Sequence, residues 1–468
     1  MRQLLPISAL LLGSGLLLFA GGVHGLILPV RGSIEGFSAG ALGLLGTGWA
    51  VGYVAGCLIA PRLVGAVGHI RTFGVMCALA AVSILLQAIL VEAWAWIPIR
   101  AISGFCFAGA AMIVESWLND RAAPETRGRI FGIYTMVNLG AVTAGQMAIS
   151  LGDASGFSFF AIGAMVYCLA LIPTALSTSA SPAPLTSVRL DLPALWRNSP
   201  VAVVAVFLVG MSNAAFGTLA AVYANAIGLS LATIALFASI PVLAGAAAQI
   251  PIGMASDRMD RRKVLIGTAI LAVCSDLAFV LLAPEARIVN LVLVGLFGAS
   301  IFAMYPIIVA HANDHAPAGT SIQVSGGLLM IFGLGSIVGP LVAGVTMTGF
   351  GAQGLFLITL AAHIVMIGFT AWRVSRRAPV ARDDKTAFQP SMNVRAATPE
   401  TVALASGDAE AEPLETEAAP AETEATEAEA ADAGKTGTDD TPTVVDETGP
   451  STDKPAPDPK PQGTSGTN

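Results

Sequence analysis

The stretch IPIGMASDRMDRRKVLIG, residues 250–267, places a cluster of charge between two long apolar runs. Its two acids and four bases are Asp257, Asp260, Arg258, Arg261, Arg262 and Lys263. Charge confined to so short a segment of apolar sequence is typical of a loop between two membrane-spanning helices.

Composition supports a membrane protein. The 468-residue chain is 54% hydrophobic and only 12% charged, and its mean hydropathy is +0.73. Soluble domains usually contain about 25% charged residues. The charge is also uneven, because residues 378–468 hold 19 Asp and Glu against 6 Lys and Arg. The acidic balance of the chain is therefore a property of its tail.

Apolar stretches of roughly 20 residues recur across residues 1–377, each long enough to cross a hydrocarbon core as a helix. The predicted spans are 5–29, 39–63, 72–91, 94–118, 130–151, 156–178, 200–226, 230–255, 264–283, 288–312, 321–346 and 351–373. The sequence thus predicts an all-α membrane protein with twelve transmembrane helices and both termini on one side.

The bases give the orientation. With the N-terminus in the cytoplasm, the cytoplasmic segments contain fifteen Arg and Lys residues, whereas the outer loops contain only Arg31 and Arg287. The positive-inside rule therefore predicts cytoplasmic termini in a bacterial inner membrane. The first span also has the basic start and apolar centre of a signal peptide. We expect it to be retained, because its removal would leave an odd number of spans.

The membrane portion aligns with itself at a shift of 192–195 residues. The matched residues are Gly25 with Gly217, Ser38 with Ser230, Gly52 with Gly245, Gly104 with Gly298, and Asn119-Asp120 with Asn313-Asp314. Such self-similarity indicates an internal repeat. We predict two pseudo-symmetric six-helix halves, 1–178 and 200–377, joined by a cytoplasmic linker at 179–199. Residues 378–468, acidic and nearly free of aromatics, are predicted to form a disordered cytoplasmic tail.

Two parallel halves around a midplane site suit alternating access. At this point the sequence resembles the major facilitator superfamily over residues 1–377. GMASDRMDRRK matches that family's loop signature, although Asp260 replaces its second glycine. The segments RLVGAVGHIR, ESWLND and ASDRMDRR are most similar to a bacterial YcaD-like subgroup.

The resemblance implies a conformational gate at the signature loop. Its residues are Gly253, Asp257, Arg258, Arg261 and Arg262. Asp257 sits near the C-terminal end of its helix, where the helix dipole disfavours an acid. In the resembled family the equivalent acid meets the start of helix five, here near Arg129. The bases either anchor the loop at anionic headgroups or pair with nearby acids, and a role in topology alone is the alternative.

The first half departs from this signature. The positions that match Gly253, Asp257 and Arg258 are Ala60, Val64 and Gly65, so the acid is missing. We therefore expect one of the two cytoplasmic latches to lack its contact between an acid and a helix end.

Arg100 precedes Gly104 by four residues in IPIRAISGFCFAGAA, like the arginine signature of proton-coupled members of the resembled family. A base two turns into a membrane helix usually faces a cavity or a partner. The alternative is that Arg100 reaches the outer surface beside Trp94 and Trp96. His24 is the titratable candidate at a similar depth, since histidine changes charge near neutral pH. A packing role for His24 is equally open.

Further polar residues have two possible roles. Glu115, Asn119, Arg127 and Arg129 form a candidate inner latch at the cytoplasmic ends of helices four and five. Gln146, Asn213 and Gln249, with Asn138, either line the central cavity or join neighbouring helices by hydrogen bonds.

Three functions fit these features. The first is a secondary transporter of a small organic solute, with protons as the candidate coupling ion. The others are a facilitative uniporter and a transporter-like receptor or scaffold that acts through its acidic tail. We expect a monomer in contact with membrane lipids. The sequence contains no motif for an enzyme, a cofactor, a metal or nucleic acid.

Overall fold

The computed structural model describes residues 5–122, 124–176, 191–317, 319–381, 384–386, 388–390 and 397–401. These residues belong to one compact unit, Met1–Glu412, and residues 413–468 fall in a second unit that lies outside the described residues.

Helices make up nearly all of the described membrane portion. In chain order they are α1 Leu5–Ile34, α2 Ala39–Val67, α3 His69–Ile89, α4 Ala93–Arg121, α5 Pro124–Ala148, α6 Ser158–Ala175, α7 Leu192–Asn198, α8 Pro200–Ala226, α9 Leu231–Arg258, α10 Arg261–Leu282, α11 Arg287–Asn313, α12 Ser321–Phe350 and α13 Gly354–Val374. A short 3-10 turn, Ile149–Leu151, follows α5.

The predicted all-α membrane architecture is confirmed. Eleven described helices are long and apolar enough to cross a membrane. Two described helices fall outside this set: α7, which has only seven residues, and α5, which has 25 residues but opens on the polar sequence PETRGR. The count of twelve crossings therefore stays a prediction. Most of the predicted linker lies outside the described residues, and its last part forms the short helix α7.

The helices alternate in direction and give the bundle two distinct ends. The end that holds Arg121, Arg258, Arg261 and Arg373 is called the basic end, and the opposite end, with Arg31 and Arg287, is called the far end.

The internal repeat has structural counterparts. Ser38 caps the start of α2 by accepting a hydrogen bond from the backbone of Ala41. Its match, Ser230, caps α9 through the backbone of Thr233. A serine N-cap satisfies one of the otherwise unpaired amides at a helix start. A serine N-cap therefore begins the second helix of each half.

Glycines set the closest helix crossings. A Cβ added at Gly52 of α2 would overlap the carbonyl oxygen of Ala101 in α4. The matched Gly245 of α9 faces α11 at Gly298 and Phe302 in the same manner. Small residues allow two helix backbones to approach within van der Waals contact. The repeat-related Gly52 and Gly245 thus each allow a close crossing of two helices.

The second half is joined by a polar network at its centre. Asp276 of α10 accepts hydrogen bonds from Thr359 of α13 at 2.6 Å and from His363 Nδ1 at 2.8 Å. The Nε2 atom of His363 lies 3.1 Å from the hydroxyl of Ser212 in α8. Since buried polar groups require partners, this network ties α8, α10 and α13 together.

The two halves contact each other directly towards the far end. Gly43 of α2 lies against the backbone of Pro340 and Gly344 in α12, with no room for a side chain between them. Four hydrogen bonds cross the interface there, from Gly40 to Thr348, Thr47 to Ile337, Asn225 to Ser33 and Ser239 to Gln146. The bundle is therefore closed at the far end.

We expect Gly52→Ala to destabilise the protein, because the new Cβ collides with the backbone of α4. Overpacking of this kind typically costs about 1–3 kcal/mol. Gly65→Ala is the matched control on the same helix, since a Cβ there meets nothing within 4 Å. Thermal unfolding of the purified variants in detergent tests the pair. An equal melting temperature for both variants would contradict the crossing geometry.

Candidate functional site

A cavity of about 140 Å³ lies between the two halves. Its wall is formed by α1, α2, α4, α5 and α6 of the first half and by Gly217 and Thr218 of α8 in the second. The repeat-related glycines Gly25 and Gly217 both line it. The cavity wall presents polar and apolar surface in similar amounts, and its apolar part includes the aromatic rings of Trp49 and Phe107, 6.2 Å apart between centroids.

Arg100 lines this cavity. The sequence left two positions open for Arg100, one facing a cavity and one at the outer surface. The structure contains the first. None of the ion pairs among the described residues includes Arg100. The nearer of the two acids within the same helix, Glu115, is fifteen residues away, or about 22 Å along an α-helix, and the other is Asp120.

His24 lies behind the cavity wall. It is buried, with Nε2 2.7 Å from Gln87 Oε1 and Nδ1 3.4 Å from the hydroxyl of Tyr167. Tyr167 itself lines the cavity beside Arg100. His24 is thus a packed histidine with polar partners, and it connects to the cavity through one side chain.

The three predicted amides have different surroundings. Gln146 lines the cavity, and its Oε1 accepts a hydrogen bond from Ser239 of the other half at 2.9 Å. Gln249 donates to the carbonyl of Phe302 at 3.3 Å and joins α9 to α11. Asn213 is buried, and neither of its amide atoms has a hydrogen-bond partner among the described residues. It precedes Gly217 by one helical turn and so shares that residue's face.

Arg261 is the centre of the signature loop. It is buried, and its guanidinium binds both carboxylate oxygens of Asp314, at 2.7 and 3.4 Å, and the hydroxyl of Ser256 at 3.0 Å. It also lies 3.3 Å from Asp257. Asp314 follows the end of α11, so Arg261 joins the start of α10 to its neighbour. The pairing with acids, one of the two roles left open by the sequence, is the one formed here.

The other gate residues surround this pair. Arg262 binds Asp260 at 2.8 Å and donates to the carbonyls of Arg373, near the end of α13, and Arg377, just beyond it. Although burial opposes the shift, these hydrogen bonds from Arg262 hold the pKa of Asp260 below its usual range. Arg258 is exposed at the end of α9.

Asp257 meets a different partner from the one implied by the family resemblance. Besides Arg261, its Oδ1 accepts from the backbone N–H of Phe388 at 3.2 Å. The ring of Phe388 lies directly over Gly253, where a Cβ would collide with it. Asp257 is therefore engaged with the chain after α13, and the start of α5, where Arg129 is exposed, is not among its hydrogen-bond or ion-pair partners in the described residues.

The candidate inner latch centres on Glu115. This carboxylate is fully buried and accepts hydrogen bonds from Tyr134 of α5 at 2.9 Å and from the hydroxyl of Thr398. Asn119 is half-buried one turn further along α4, and its Oδ1 has no hydrogen-bond partner in the described part of the chain. Arg127 is half-buried near the start of α5. The latch residues thus share the basic end, with Tyr134 rather than an arginine on Glu115.

Residues beyond α13 form a second group of contacts, here called the bridging segment: 384–386, 388–390 and 397–401. Lys385 Nζ donates to the carbonyls of Ser256 and Met259 at the end of α9, at 3.3 and 2.5 Å. Thr386 donates to Asp314 through its backbone and its hydroxyl, both at 2.9 Å. These contacts hold the segment to the second half.

The same segment also contacts the first half. The hydroxyl of Tyr53 in α2 donates to the carbonyl of Ala397 at 2.9 Å, and Thr398 donates to Glu115. The sequence TPET explains the local shape, because Thr398 and Thr401 exchange backbone-to-hydroxyl hydrogen bonds at 2.8 and 3.3 Å. A threonine N-cap followed by proline is a helix-start signal.

The bridging segment falls in the range that was predicted to be disordered. Composition alone favoured disorder, because acidic and alanine-rich sequence outweighs a few isolated contact residues. The local signals for these contacts are Phe388, the one aromatic residue after residue 377, and the TPET cap. The predicted disorder of the remaining tail concerns residues outside the described ones.

Comparison with known proteins shows what the chain is similar to. The model of the Major Facilitator Superfamily matches residues 202–406. An MFS-type transporter of Yersinia pestis (strain Pestoides F) is 26% identical over 359 residues, which are 75% of this chain and 91% of that protein. The MFS-type transporter YcaD of Shigella flexneri serotype 5b is 23% identical over 366 residues, 77% and 94% of the two chains.

The chain is thus similar to the Major Facilitator Superfamily model over residues 202–406 and to MFS-type transporters over about three quarters of its length. Solved structures of the same fold include the nucleoside transporter NupG, with a TM-score of 0.68, 14% identity and coverage of 78% of this chain and 98% of that one. A bacterial homologue of the human lysosomal transporter Spinster, in an inward-facing and occupied conformation, has a TM-score of 0.64 and 15% identity over 81% and 98% of the two chains. These likenesses confirm the superfamily fold of a multi-pass membrane protein.

Arg261→Ala should destabilise the protein strongly, because it leaves Asp314, only 2% exposed, without its cation. Removal of one partner of a buried ion pair typically costs about 3–5 kcal/mol. Arg258→Ala, three residues away and exposed, is the matched control and should change the melting temperature little. Thermal denaturation that ranks the two variants equally would show that the buried pair does not organise the loop.

Proposed function

We propose that this protein is a secondary active transporter that moves a small organic solute by alternating access, with protons as the coupling ion. The observation that carries the proposal is a cavity built by both halves, which contact each other directly at one end of the bundle and are bridged at the other by residues 384–386, 388–390 and 397–401. The similarity of the chain to MFS-type transporters supports transport of a solute.

The arrangement of the halves supports the mechanism. Residues 1–178 and 200–377 are proposed to rock as two bodies about the cavity, linked by 179–199. Closure at the far end relies on backbone contact between α2 and α12 at glycines, which leaves few side chains to rearrange when the contact opens. Such an interface suits repeated association and separation.

The distribution of bases supports the orientation. The basic end is proposed to lie in the cytoplasm of a bacterial cell, with both termini on that side of the inner membrane. Exposed bases such as Arg258 and Arg376 are placed to contact anionic headgroups. In this orientation the cavity is closed towards the outside. The protein is proposed to act as a monomer, because each chain supplies both halves of the cavity.

Arg100 supports the coupling. A cationic side chain in a cavity within the membrane span is stabilised when a negative charge arrives and disfavoured when a second positive charge does. The positive charge of Arg100 therefore disfavours protonation of a nearby group unless the solute is bound. His24, which reaches the cavity through Tyr167, is the proposed titratable partner.

Proton movement in proteoliposomes tests this function. We expect at least one class among sugars, organic acids and cationic drugs to produce a pH change reported by an entrapped dye, and Arg100→Ala to abolish it. The control is Arg31→Ala, because Arg31 pairs with Glu35 at the far end and lies outside the cavity. Labelled solute that crosses without any pH change would indicate a uniporter. No crossing of any solute would favour a receptor or scaffold.

A further inference from the structure

The charge of the cavity wall indicates which solutes it accepts. Arg100 is the one charged residue among those that line the cavity in the described part of the chain. Its other polar neighbours are neutral: Ser103, Gln146, Tyr167 and Thr218. The site therefore presents a net positive charge to a bound molecule.

Arg100 also lacks a compensating acid of its own. The ion pairs of the described residues lie elsewhere, and Glu115 is about 22 Å away along α4 and engaged with Tyr134 and Thr398. A charged side chain within a membrane span is retained where it pairs with another charge or serves a solute pathway. Here the missing partner is a negative charge on the solute.

The other residues at the cavity indicate which further groups the solute contains. Gln146 Oε1 is occupied by Ser239, so its amide nitrogen is the atom that remains for a ligand. Asn213, one turn from Gly217, has a buried amide with no partner in the described residues. Trp49 and Phe107 supply apolar surface to the same cavity. The combination suits an acidic head group on an apolar body.

We propose, on the basis of the transport function above, that the solute is a small organic anion whose carboxylate binds the guanidinium of Arg100. The planar guanidinium matches a carboxylate through two parallel hydrogen bonds. Binding of a monoanion together with one proton would also make the transported unit neutral.

Equilibrium binding tests the substrate class without any need for transport. The probes are sets of similar shape and different charge: benzoate, benzamide and benzylammonium, and gluconate, glucose and glucosamine. We expect only acids to raise the melting temperature of the purified protein and to give a measurable Kd. Arg100→Gln should weaken that binding by roughly 10-fold or more, whereas Arg100→Lys, which keeps the charge, should retain part of it.

Stabilisation by the neutral or cationic members as large as that by the acids would overturn the anion assignment. So would the absence of stabilisation by any acid, or an Arg100→Gln variant that binds acids normally. Failure of the proposed function gives a different outcome. A protein that binds acids but moves no solute or proton would contradict the transport function and leave the anion assignment intact.

The bridging segment carries an independent inference. It contacts the second half at Asp257, Arg261 and Asp314 and the first half at Tyr53 and Glu115. Alternating access requires the basic ends of the two halves to approach each other when the far end opens. A segment held between them prevents that approach.

The contacts are those of a specific docking site. Lys385 satisfies carbonyl groups at the end of α9, and Phe388 fits the space that Gly253 leaves open. Thr398 supplies one of the two hydrogen-bonding hydroxyls of Glu115, a fully buried carboxylate. Since buried carboxylates require donors, release of the segment leaves Glu115 with water or a new partner.

We infer that the bridging segment is an autoinhibitory element that docks in the basic end, holds the bundle closed at the far end and must leave before the halves can exchange conformations. Removal of the segment should therefore speed up turnover. Tail residues beyond 401 should not be needed for this inhibition.

Two truncations separate the segment from the rest of the tail. One variant ends at Ala381 and lacks the segment, and the other ends at Thr401 and retains it. The reporter is native Cys57, half-buried on α2 one turn from Tyr53, in a chain whose other four cysteines are replaced by alanine. We expect an impermeant maleimide to label Cys57 several-fold faster in the Ala381 variant than in the full chain or the Thr401 variant.

Point variants refine the test. Thr398→Val removes the hydroxyl that donates to Glu115 with little change of shape and should accelerate labelling, whereas Thr398→Ser keeps the donor and should not. Equal labelling of Cys57 in both truncated chains would overturn the inference. Slower solute or proton movement after removal of the segment would overturn it as well, because an inhibitor cannot be required for activity.

Discussion

Direct contact between two helix backbones fixes the state of this molecule. Gly43 of α2 meets Pro340 and Gly344 of α12 without intervening side chains, and hydrogen bonds from Gly40 and Thr47 reinforce the contact. Gly46, one turn further along α2, lines the central cavity, so this closed contact adjoins the cavity wall.

Charge serves two purposes in the bundle. In the signature loop, the buried Arg261 pairs with two acids, Asp257 and Asp314, so the loop holds helices of the second half together. In the cavity, Arg100 has no acid beside it among the described residues. The first arginine is satisfied by the protein, and the second is available to a solute. The matching loop of the first half lacks such a buried ion pair among the described residues. It changes direction at Gly68, whose φ of +87° favours glycine.

The sequence predicted the fold well because its signals are local or periodic. Apolar length gave the spans, and the glycine and serine matches between halves reappear as equivalent crossings and helix caps. The site was predicted less completely. The cavity position of Arg100 follows from its depth, but the partners of Glu115 and Asp257 are Tyr134, Thr398 and Phe388, which are distant in sequence. Only the packing of the whole bundle brings those residues together, and no local pattern encodes it.

Distances across the two ends of the bundle test the central claim of alternating access most directly. Spin labels at Leu151 and Leu282, both exposed, report the far end, and labels at Val67 and Met259 report the basic end. Pulsed electron paramagnetic resonance should find the far-end pair close in the full chain. In the chain that ends at Ala381, a second population should appear with a longer far-end and a shorter basic-end distance. Distances that stay fixed, or that change in the same direction at both ends, would contradict a rocking exchange between the halves.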